Sequence, residues 1–150
     1  GSTSDVSGDI VLNWSSPSKS SVGQIKVDAR TLLTNDTGRD AAIRGLILKS
    51  DLSGNNYIVF TPTSIKGLPK TIKVGDSIKV SITGDLTIAG VTRVATFSGV
   101  VTPQTKNSLK GAVSTNIRRS DYSLKIPTVP FVASVDESMA LTLDFVAKTQ

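Results

Sequence analysis

The sequence predicts an all-β domain, an antiparallel β-barrel of about 7–8 strands with one short helix. The clearest indication is residues 77–88, where an apolar residue or glycine occupies every even position and a polar residue every odd position. Such alternation is typical of a half-buried strand, and this one would reach about 40 Å at roughly 3.3 Å per residue. A closed barrel needs strands of this length, whereas a flat sandwich rarely does. Six further segments have strand character, and only one has helical periodicity.

The composition fits a single domain spanning residues 1–150. Hydrophobic residues make up 38% and charged residues 19%, and no apolar run reaches the length of a membrane helix. We therefore expect no transmembrane segment. No signal peptide is present, which fits either a cytosolic protein or a processed one, and Gly1-Ser2 fits either a cloning scar or a mature start.

The chain contains no cysteine and no histidine. This composition excludes disulfides, thiol chemistry, zinc sites of the usual type and histidine-based catalytic triads. The formal charge is +5, but the basic residues are spread along the chain and few aromatic residues are available to stack on bases. We expect no enzymatic activity, no catalytic residue, no metal site, no cofactor and no nucleic-acid partner.

The first two predicted strands lie near the N-terminus, and each carries apolar or small residues at alternate positions. In residues 8–14 these are Ile10, Leu12 and Trp14. In residues 22–30 these are Gly23, Ile25, Val27 and Ala29.

The helix is predicted from "TGRDAAIRGLILKS", residues 37–50. Thr37 lies three residues before Asp40, which is a weak capping signal. An apolar stripe follows, consisting of Ile43, Leu46 and Ile47. Gly45 weakens the helix by roughly 1 kcal/mol relative to alanine, so we expect it to be short and to depend on tertiary packing.

The next three strands include a hairpin whose register can be counted. "NYIVFTPTSI" carries Ile58 and Phe60, and Pro62 indicates an edge, a bulge or a strand end. Ala89-Gly90 then fits a two-residue turn. Counting outward from this turn, the predicted pairs on the apolar face are Ile88–Val91, Leu86–Arg93, Gly84–Ala95, Ile82–Phe97, Val80–Gly99 and Ile78–Val101.

The last two predicted strands are "SLKGAVSTNIR" and "SMALTLDFVA", which alternate in the same way. Between them, "KIPTVPFVASV" has two prolines and no clean period, which predicts an ordered loop.

The inward-facing residues bear on function because several are small. Gly84, Ala95, Gly99 and Gly111 favour an apolar cavity, although the glycines would equally serve to bend long strands at barrel corners. Arg93 points inward near the hairpin end. There it either meets a polar head group at a cavity mouth or reaches past the rim into water, and the second interpretation is the simpler one.

Four stretches, in order along the chain, resemble the YceI-like family of lipid-binding proteins. "GDLTIAGVTRVATF" is similar to the family's G-x-L-T-hydrophobic-x-G-V-T-R/K signature, and the other three stretches are "VDARTLLTNDTGRDAAIRG", "NYIVFTPTSI" and "IRRSDYSLKIP". The resemblance runs from Gly8 to Phe145. It implies a lipocalin-like barrel that encloses a long amphiphile, typically a polyisoprenoid, without catalysis. Many such proteins are secreted or periplasmic, and some are cytosolic.

Three departures from the family pattern matter. Ala42 stands where the family often has a histidine, and Ser123 replaces the usual glycine. The family's first strand normally lies before the point where this chain begins. We therefore expect either that the N-terminal residues pair differently or that the barrel has an open seam.

The leading hypothesis is a binding module for a long apolar or isoprenoid-like ligand. Its predicted apolar contacts are Ile25, Val27, Phe60, Val80, Ile82, Phe97, Val113, Leu141, Leu143 and Phe145. Its predicted mouth residues are Arg39, Arg93, Arg119 and Tyr122. Structural roles compete for two of them, because Arg39 would pair with Asp40 at the helix start and Arg119 with Asp121 in an internal polar network. The alternative function is an extracellular assembly subunit that forms a homodimer or larger homo-oligomer by strand addition at an open edge.

Overall fold

The computed structural model describes residues 2–34, 36–50, 52, 54–124 and 137–148. Within them the strands are β1 Val6–Ser7, β2 Ile10–Val11, β3 Ser21–Val22, β4 Ile25–Asp28, β5 Tyr57–Lys66, β6 Ile78–Ile88, β7 Val91–Thr105, β8 Ser108–Arg118 and β9 Ser138–Lys148. Seven of these form one curled antiparallel sheet in the spatial order β1-β4-β5-β6-β7-β8-β9. β2 and β3 form a separate pair. The predicted all-β barrel-type fold with one short helix is confirmed as a half-barrel.

The predicted N-terminal strand over residues 8–14 is wrong as a continuous element. Local hydrogen bonds compete with the strand, because the Asn13 side-chain oxygen accepts from the Ser16 N–H at 2.8 Å and turns the chain. β1 pairs with β4, where Val6 lies opposite Val27, and β2 pairs separately with β3. The apolar alternation is nevertheless used, since Ile10, Leu12 and Trp14 all pack against the core.

The second predicted strand, residues 22–30, is also divided. β3 and β4 are separated by two residues, and β4 ends at Asp28. The Asp28 carboxylate accepts from the backbone N–H of Arg30 at 3.0 Å and caps a 3-10 turn over Ala29–Thr31. A capped turn satisfies backbone donors that a longer strand would have left to a neighbour.

The helix, α1 Thr37–Ala42, is short as predicted and continues into a π-helical turn over Ile43–Ile47. Its cap differs from the prediction, because the Asp36 carboxylate accepts from the Arg39 N–H at 2.9 Å. Of the predicted apolar stripe, Ile43 packs against the core. The side chains of Leu46 and Ile47 lie outside the described part of the structure, as does the loop predicted over residues 125–135.

The β6–β7 hairpin has the predicted register at every counted pair, from Ile88 opposite Val91 to Ile78 opposite Val101. Ala89 and Gly90 both have positive φ, 50° and 81°, which is the backbone of a primed two-residue turn. On the outward face, Thr83 and Thr96 hydrogen-bond across the pair at 2.8 Å. The hairpin is the part of the fold that local sequence specified most completely.

The inward glycines mark places where strands approach closely. A Cβ on Gly84 would collide with the backbone of Thr61 and Pro62, where β5 shifts register between Pro62 and Ser64. This shift confirms the bulge that was one of three predicted roles for Pro62. A Cβ on Gly99 would collide with the Ala112 carbonyl oxygen. Close backbone approach therefore explains why glycine occupies positions 84 and 99, which the sequence alone also allowed as positions that leave room for a cavity.

The core lies on the inward face, which we define as the face of β4–β9 that carries Phe60, Ile82 and Val113. The rings of Phe60 and Phe97 meet edge to face with centroids 4.8 Å apart. Their β6 partners are Leu86 and Ile82, and Gly84 stands between these two on the same face. The rings meet because no side chain separates them.

Candidate functional site

All ten predicted apolar contacts lie on the inward face. The register places Phe60 beside Ile25, Ile58 beside Val27, and Val113 between Gly99 and Leu143. Leu141 and Phe145 occupy alternate positions of β9 on the same side. The residues that the sequence singled out are therefore collected on one surface, and their contact with a ligand stays a prediction.

Burial divides this face into a closed centre and open edges. The central contacts Phe60, Val80, Ile82, Phe97 and Val113 are all less than 10% exposed. The five on β4 and β9 are only half-buried; they are Ile25, Val27, Leu141, Leu143 and Phe145. Trp14 and other residues of the N-terminal segment pack against the core. Leu32 packs against it as well. The chain's own atoms thus fill the centre and leave apolar surface accessible along β9.

Phe145 shows how the β9 edge is built. It lies directly opposite Gly111, and a Cβ on Gly111 would come within 2.5 Å of the Phe145 ring. The ring therefore fills the space that the glycine leaves. Gly111 serves to seat an aromatic side chain, so this position contributes no empty volume to a cavity.

Two open grooves lie beside the connection between β5 and β6, with volumes of about 420 and 550 Å³. Gly67 and Lys79 line both, and Ser98 and Val100 of the outward face line the larger one. Of the predicted contacts, only Val80 lines the larger groove. Both grooves are open to solvent and include Lys79 in their lining, which distinguishes them from the enclosed apolar cavity that the sequence predicts.

Arg93 pairs with Leu86, as the count from the turn predicts. Phe60 and Ile25 continue the same row across β5 and β4, and we call these four residues the Arg93 row. The Arg93 side chain is exposed, and its Nη1 donates to the Thr92 carbonyl oxygen at 3.0 Å. A guanidinium group thus stands at one end of an otherwise apolar row.

Tyr122 is 2% exposed and lies in a 3-10 turn, Arg119–Tyr122, that packs against β7 and β8. Burial raises the pKa of its phenol, the negative charge of Asp121 raises this pKa further, and the Arg93 guanidinium acts in the opposite direction. The phenol and the guanidinium are therefore within electrostatic reach of each other. Of the predicted mouth residues, these two are brought together.

Arg39 belongs to a network at the start of α1. Its Nε donates to the Thr34 hydroxyl at 3.2 Å, and that hydroxyl donates to the Asp40 carboxylate at 2.5 Å. Asp40 is 3% exposed, and the hydrogen bond from Thr34 holds the pKa of its carboxyl below the ordinary value, with smaller contributions from the charges of Arg44 and Arg39. The predicted link between Arg39 and Asp40 thus runs through Thr34.

Arg119 has a partner, Glu137, that the sequence did not indicate. Its Nη2 lies 3.8 Å from the Glu137 carboxylate, and its backbone N–H donates to the Glu137 carbonyl oxygen at 2.9 Å. Glu137 immediately precedes β9 and is brought beside Arg119 when β9 pairs with β8, and the network with Asp121 stays a prediction. Sequence distance concealed this contact.

Ser123 directly follows the 3-10 turn Arg119–Tyr122. Its backbone has φ 54° and ψ 31°, in the left-handed region. This is the position where the resemblance leads one to expect glycine, and glycine adopts that backbone at lower cost. The turn keeps the glycine-type conformation despite the substitution.

One cluster was not anticipated from the sequence. Arg30 donates from Nε and Nη2 to the two oxygens of Asp28, at 2.9 and 2.7 Å, and this lowers the pKa of the Asp28 carboxyl. The guanidinium also lies 5.6 Å from the centroid of the Tyr57 ring. No sequence signal identifies the cluster, because it depends on the 3-10 turn that reverses Arg30 onto Asp28.

Within the described ranges, no group of three or more acidic, cysteine or histidine side chains is placed to hold a metal ion. In the same ranges, none of the helices is sufficiently long and apolar for a membrane crossing.

Comparison with known proteins gives one match at the level of family and several at the level of fold. Residues 1–147 match the sequence profile of the YceI-like domain. No curated protein matches the sequence. Among solved structures, the Campylobacter jejuni YCEI protein is similar with a TM-score of 0.75 and 18% identity, over 98% of this chain and 82% of its own.

Two further structures share the fold. Burkholderia cenocepacia BcnA has a TM-score of 0.75 and 17% identity, over 95% of this chain and 84% of its own. A polyisoprenoid binding domain from Saccharophagus degradans, implicated in plant cell wall breakdown, has a TM-score of 0.57 and 18% identity, over 67% of this chain and 58% of its own. At these identities the structural matches establish the architecture of the sheet.

Proposed function

The chain belongs to the YceI-like family, and we propose that it binds a long apolar or amphiphilic molecule, of polyisoprenoid or lipid type, on its inward face. The role is binding rather than catalysis. The family assignment supports this proposal, as does the similarity in fold to a polyisoprenoid binding domain.

The single observation that carries the proposal is the half-buried apolar stripe of β9. Met139, Leu141, Leu143 and Phe145 point inward at alternate positions and remain partly exposed beside a buried core. Burial of apolar surface contributes about 25 cal/mol per Å², so covering roughly 200 Å² of such surface would contribute about 5 kcal/mol to binding. An elongated hydrocarbon chain suits a stripe of this shape.

The test is extraction of the purified protein with organic solvent, mass spectrometry of the extract, and titration with a fluorescent amphiphile. We expect a co-purified lipid and saturable binding. Leu143→Asn should weaken the affinity about tenfold, because it places an amide in the apolar stripe. The matched control is Thr142→Asn, which places the same amide on the exposed outward face of β9 and should leave the affinity unchanged. An empty extract together with no saturable binding would refute the proposal.

We further propose that the protein acts outside the cytoplasm, as a secreted or periplasmic protein, with the cytosol as the alternative location. The family resemblance supports the first location, and the absence of cysteine is compatible with an oxidising compartment. Fractionation of the producing cells would distinguish the two.

A second candidate function is homo-oligomeric assembly, and the arrangement of the sheet favours it. β1 and β9 stand at opposite ends of the strand order, and in the described residues β9 pairs only with β8. A long unpaired edge is a template for strand addition from a second copy. Size-exclusion chromatography across a concentration series should then show dimers or larger species, and a monomer at all concentrations would remove this candidate.

A further inference from the structure

The inward face carries one charged side chain among its described positions. The register assigns every other position on this side of β4–β9 to an apolar residue, glycine, proline or threonine. Arg93 is the exception. A cation on an apolar surface is costly to cover unless an anion or hydrogen-bond acceptor accompanies whatever covers it. Any ligand that occupies this face therefore has to satisfy Arg93 or leave it in water.

No carboxylate of the described residues neutralises Arg93. Its Nη1 donates to the neighbouring Thr92 carbonyl oxygen. The ion pairs among the described residues join Arg30 to Asp28 and Arg119 to Glu137. Asp121 acts on the Tyr122 phenol without forming an ion pair with Arg93. Within the described ranges, the remaining donors of the guanidinium fork meet no protein acceptor, so an incoming oxyanion can accept from them.

The surroundings of Arg93 suit the junction between a polar head and an apolar tail. Along the Arg93 row the next side chains are Leu86 and Phe60, which are 1% and 6% exposed, so the polarity changes abruptly within one strand spacing. On the other side, β7 is hydrogen-bonded to β8 only from Ser98 onward. The 3-10 turn that holds Tyr122 packs against β7, and the Arg93 guanidinium acts electrostatically on its phenol. In the part of the chain that the structure describes, no strand pairs with the Arg93 end of β7 on the side away from β6.

We infer that Arg93 determines ligand specificity, by selecting amphiphiles that carry an anionic head, a phosphate or carboxylate, on a single apolar chain. The inference rests on the proposed function, since it assigns the head group of a ligand whose tail lies on the inward face. A guanidinium fork matches two oxygens of an oxyanion and forms charge-assisted hydrogen bonds with them. The phenol of Tyr122 is the neighbouring group that would share the head-group environment.

The experiment compares two probes with the same tail, farnesyl monophosphate and farnesol, by calorimetric titration at low salt. The wild-type protein should prefer the phosphate by about tenfold or more, since hydrogen bonds to a charged group are stronger than neutral ones. Arg93→Gln should abolish this preference by weakening the binding of farnesyl monophosphate far more than that of farnesol, and Arg93→Lys should keep part of it. Arg118→Gln is the matched control, because Arg118 is an exposed arginine on the outward face of β8.

Two further titrations test whether Arg93 recognises the head group of a bound amphiphile. One adds inorganic phosphate as a competitor, and the other raises the salt concentration. Inorganic phosphate at millimolar concentration should not displace the farnesyl phosphate, and 0.5 M salt should reduce the preference because an exposed charge is screened. Displacement by phosphate alone would overturn the inference.

The outcomes also separate this inference from the proposed function. Equal affinity for the two probes in both wild type and Arg93→Gln overturns the inference and leaves the binding function intact. An equal loss of both probes in Arg93→Gln overturns it as well, because the effect would then arise from the shape of the face. Failure of both probes to bind the wild-type protein refutes the proposed function itself.

Discussion

β6 and β9 are strands of equal length with the same alternation of side chains, yet they differ in burial. Every inward residue of β6 is buried, from Ile78 to Ile88, whereas no residue of β9 is. The difference is in their neighbours, since β6 is hydrogen-bonded on both sides and β9, among the described residues, on one. Alternation thus indicates which face points inward, and the parts of the chain that pack over and beside the strand decide how completely that face is covered.

The largest predicted effect comes from truncating equivalent leucines in the two strands. Leu86→Ala in β6 should lower the free energy of unfolding by about 3 kcal/mol, because it leaves a cavity in a fully packed site. Leu143→Ala in β9 should lower it by about 1 kcal/mol, because less apolar area leaves the core and solvent can fill the space. Urea denaturation of both variants measures the difference. Equal losses would mean that the β9 edge is covered in solution.

The second prediction compares two inward glycines, one beside a backbone and one beside a mobile ring. Gly99→Ala should cost about 3 kcal/mol, since its Cβ would meet the Ala112 carbonyl oxygen and strand β8 would have to shift. Gly111→Ala should cost about 1 kcal/mol, since the Phe145 ring on the half-buried β9 is able to turn aside. Thermal unfolding of the two variants shows which substitution costs more stability. A larger cost at position 111 would show that the ring is held as firmly as a strand backbone.

The smallest predicted effect concerns how β9 is attached at its start, and it depends on pH. Hydrogen bonds from the Ser120 side chain and N–H lower the pKa of the Glu137 carboxyl, and the Arg119 charge adds to this. Because the folded-state pKa lies below the ordinary value of 4.5, the stabilisation is present above that value and is lost as the pH falls through the folded-state pKa.

The protection of the first residues of β9 against hydrogen exchange, measured relative to the intrinsic rate at each pH, should therefore fall as the pH drops below 4.5. Glu137→Gln should remove this pH-dependent loss of protection. An unchanged pH profile in that variant would show that the Glu137 carboxylate does not hold the strand. The corresponding residues of β6 provide the internal reference, because their exchange should lack the transition.

The sequence was sufficient for most of the sheet and for the membership of its inward face. The alternation in residues 77–88 and the Ala89-Gly90 turn specified the hairpin register pair by pair, because each step depends only on neighbouring residues. The same period placed the ten apolar contacts on one side. By contrast, the predicted strand over residues 8–14 failed because the Asn13 side chain forms a local turn that alternation does not register.

Contacts between distant segments were decided only when the chain folded. The pairing of Arg119 with Glu137, the approach of Tyr122 to Arg93 and the seating of Phe145 over Gly111 all join residues that no short-range pattern connects. Local periodicity assigns a side chain to a face, since that depends on the two-residue repeat of a strand. Its burial, charge environment and partners depend on which strands lie beside it, and that is a property of the assembled sheet.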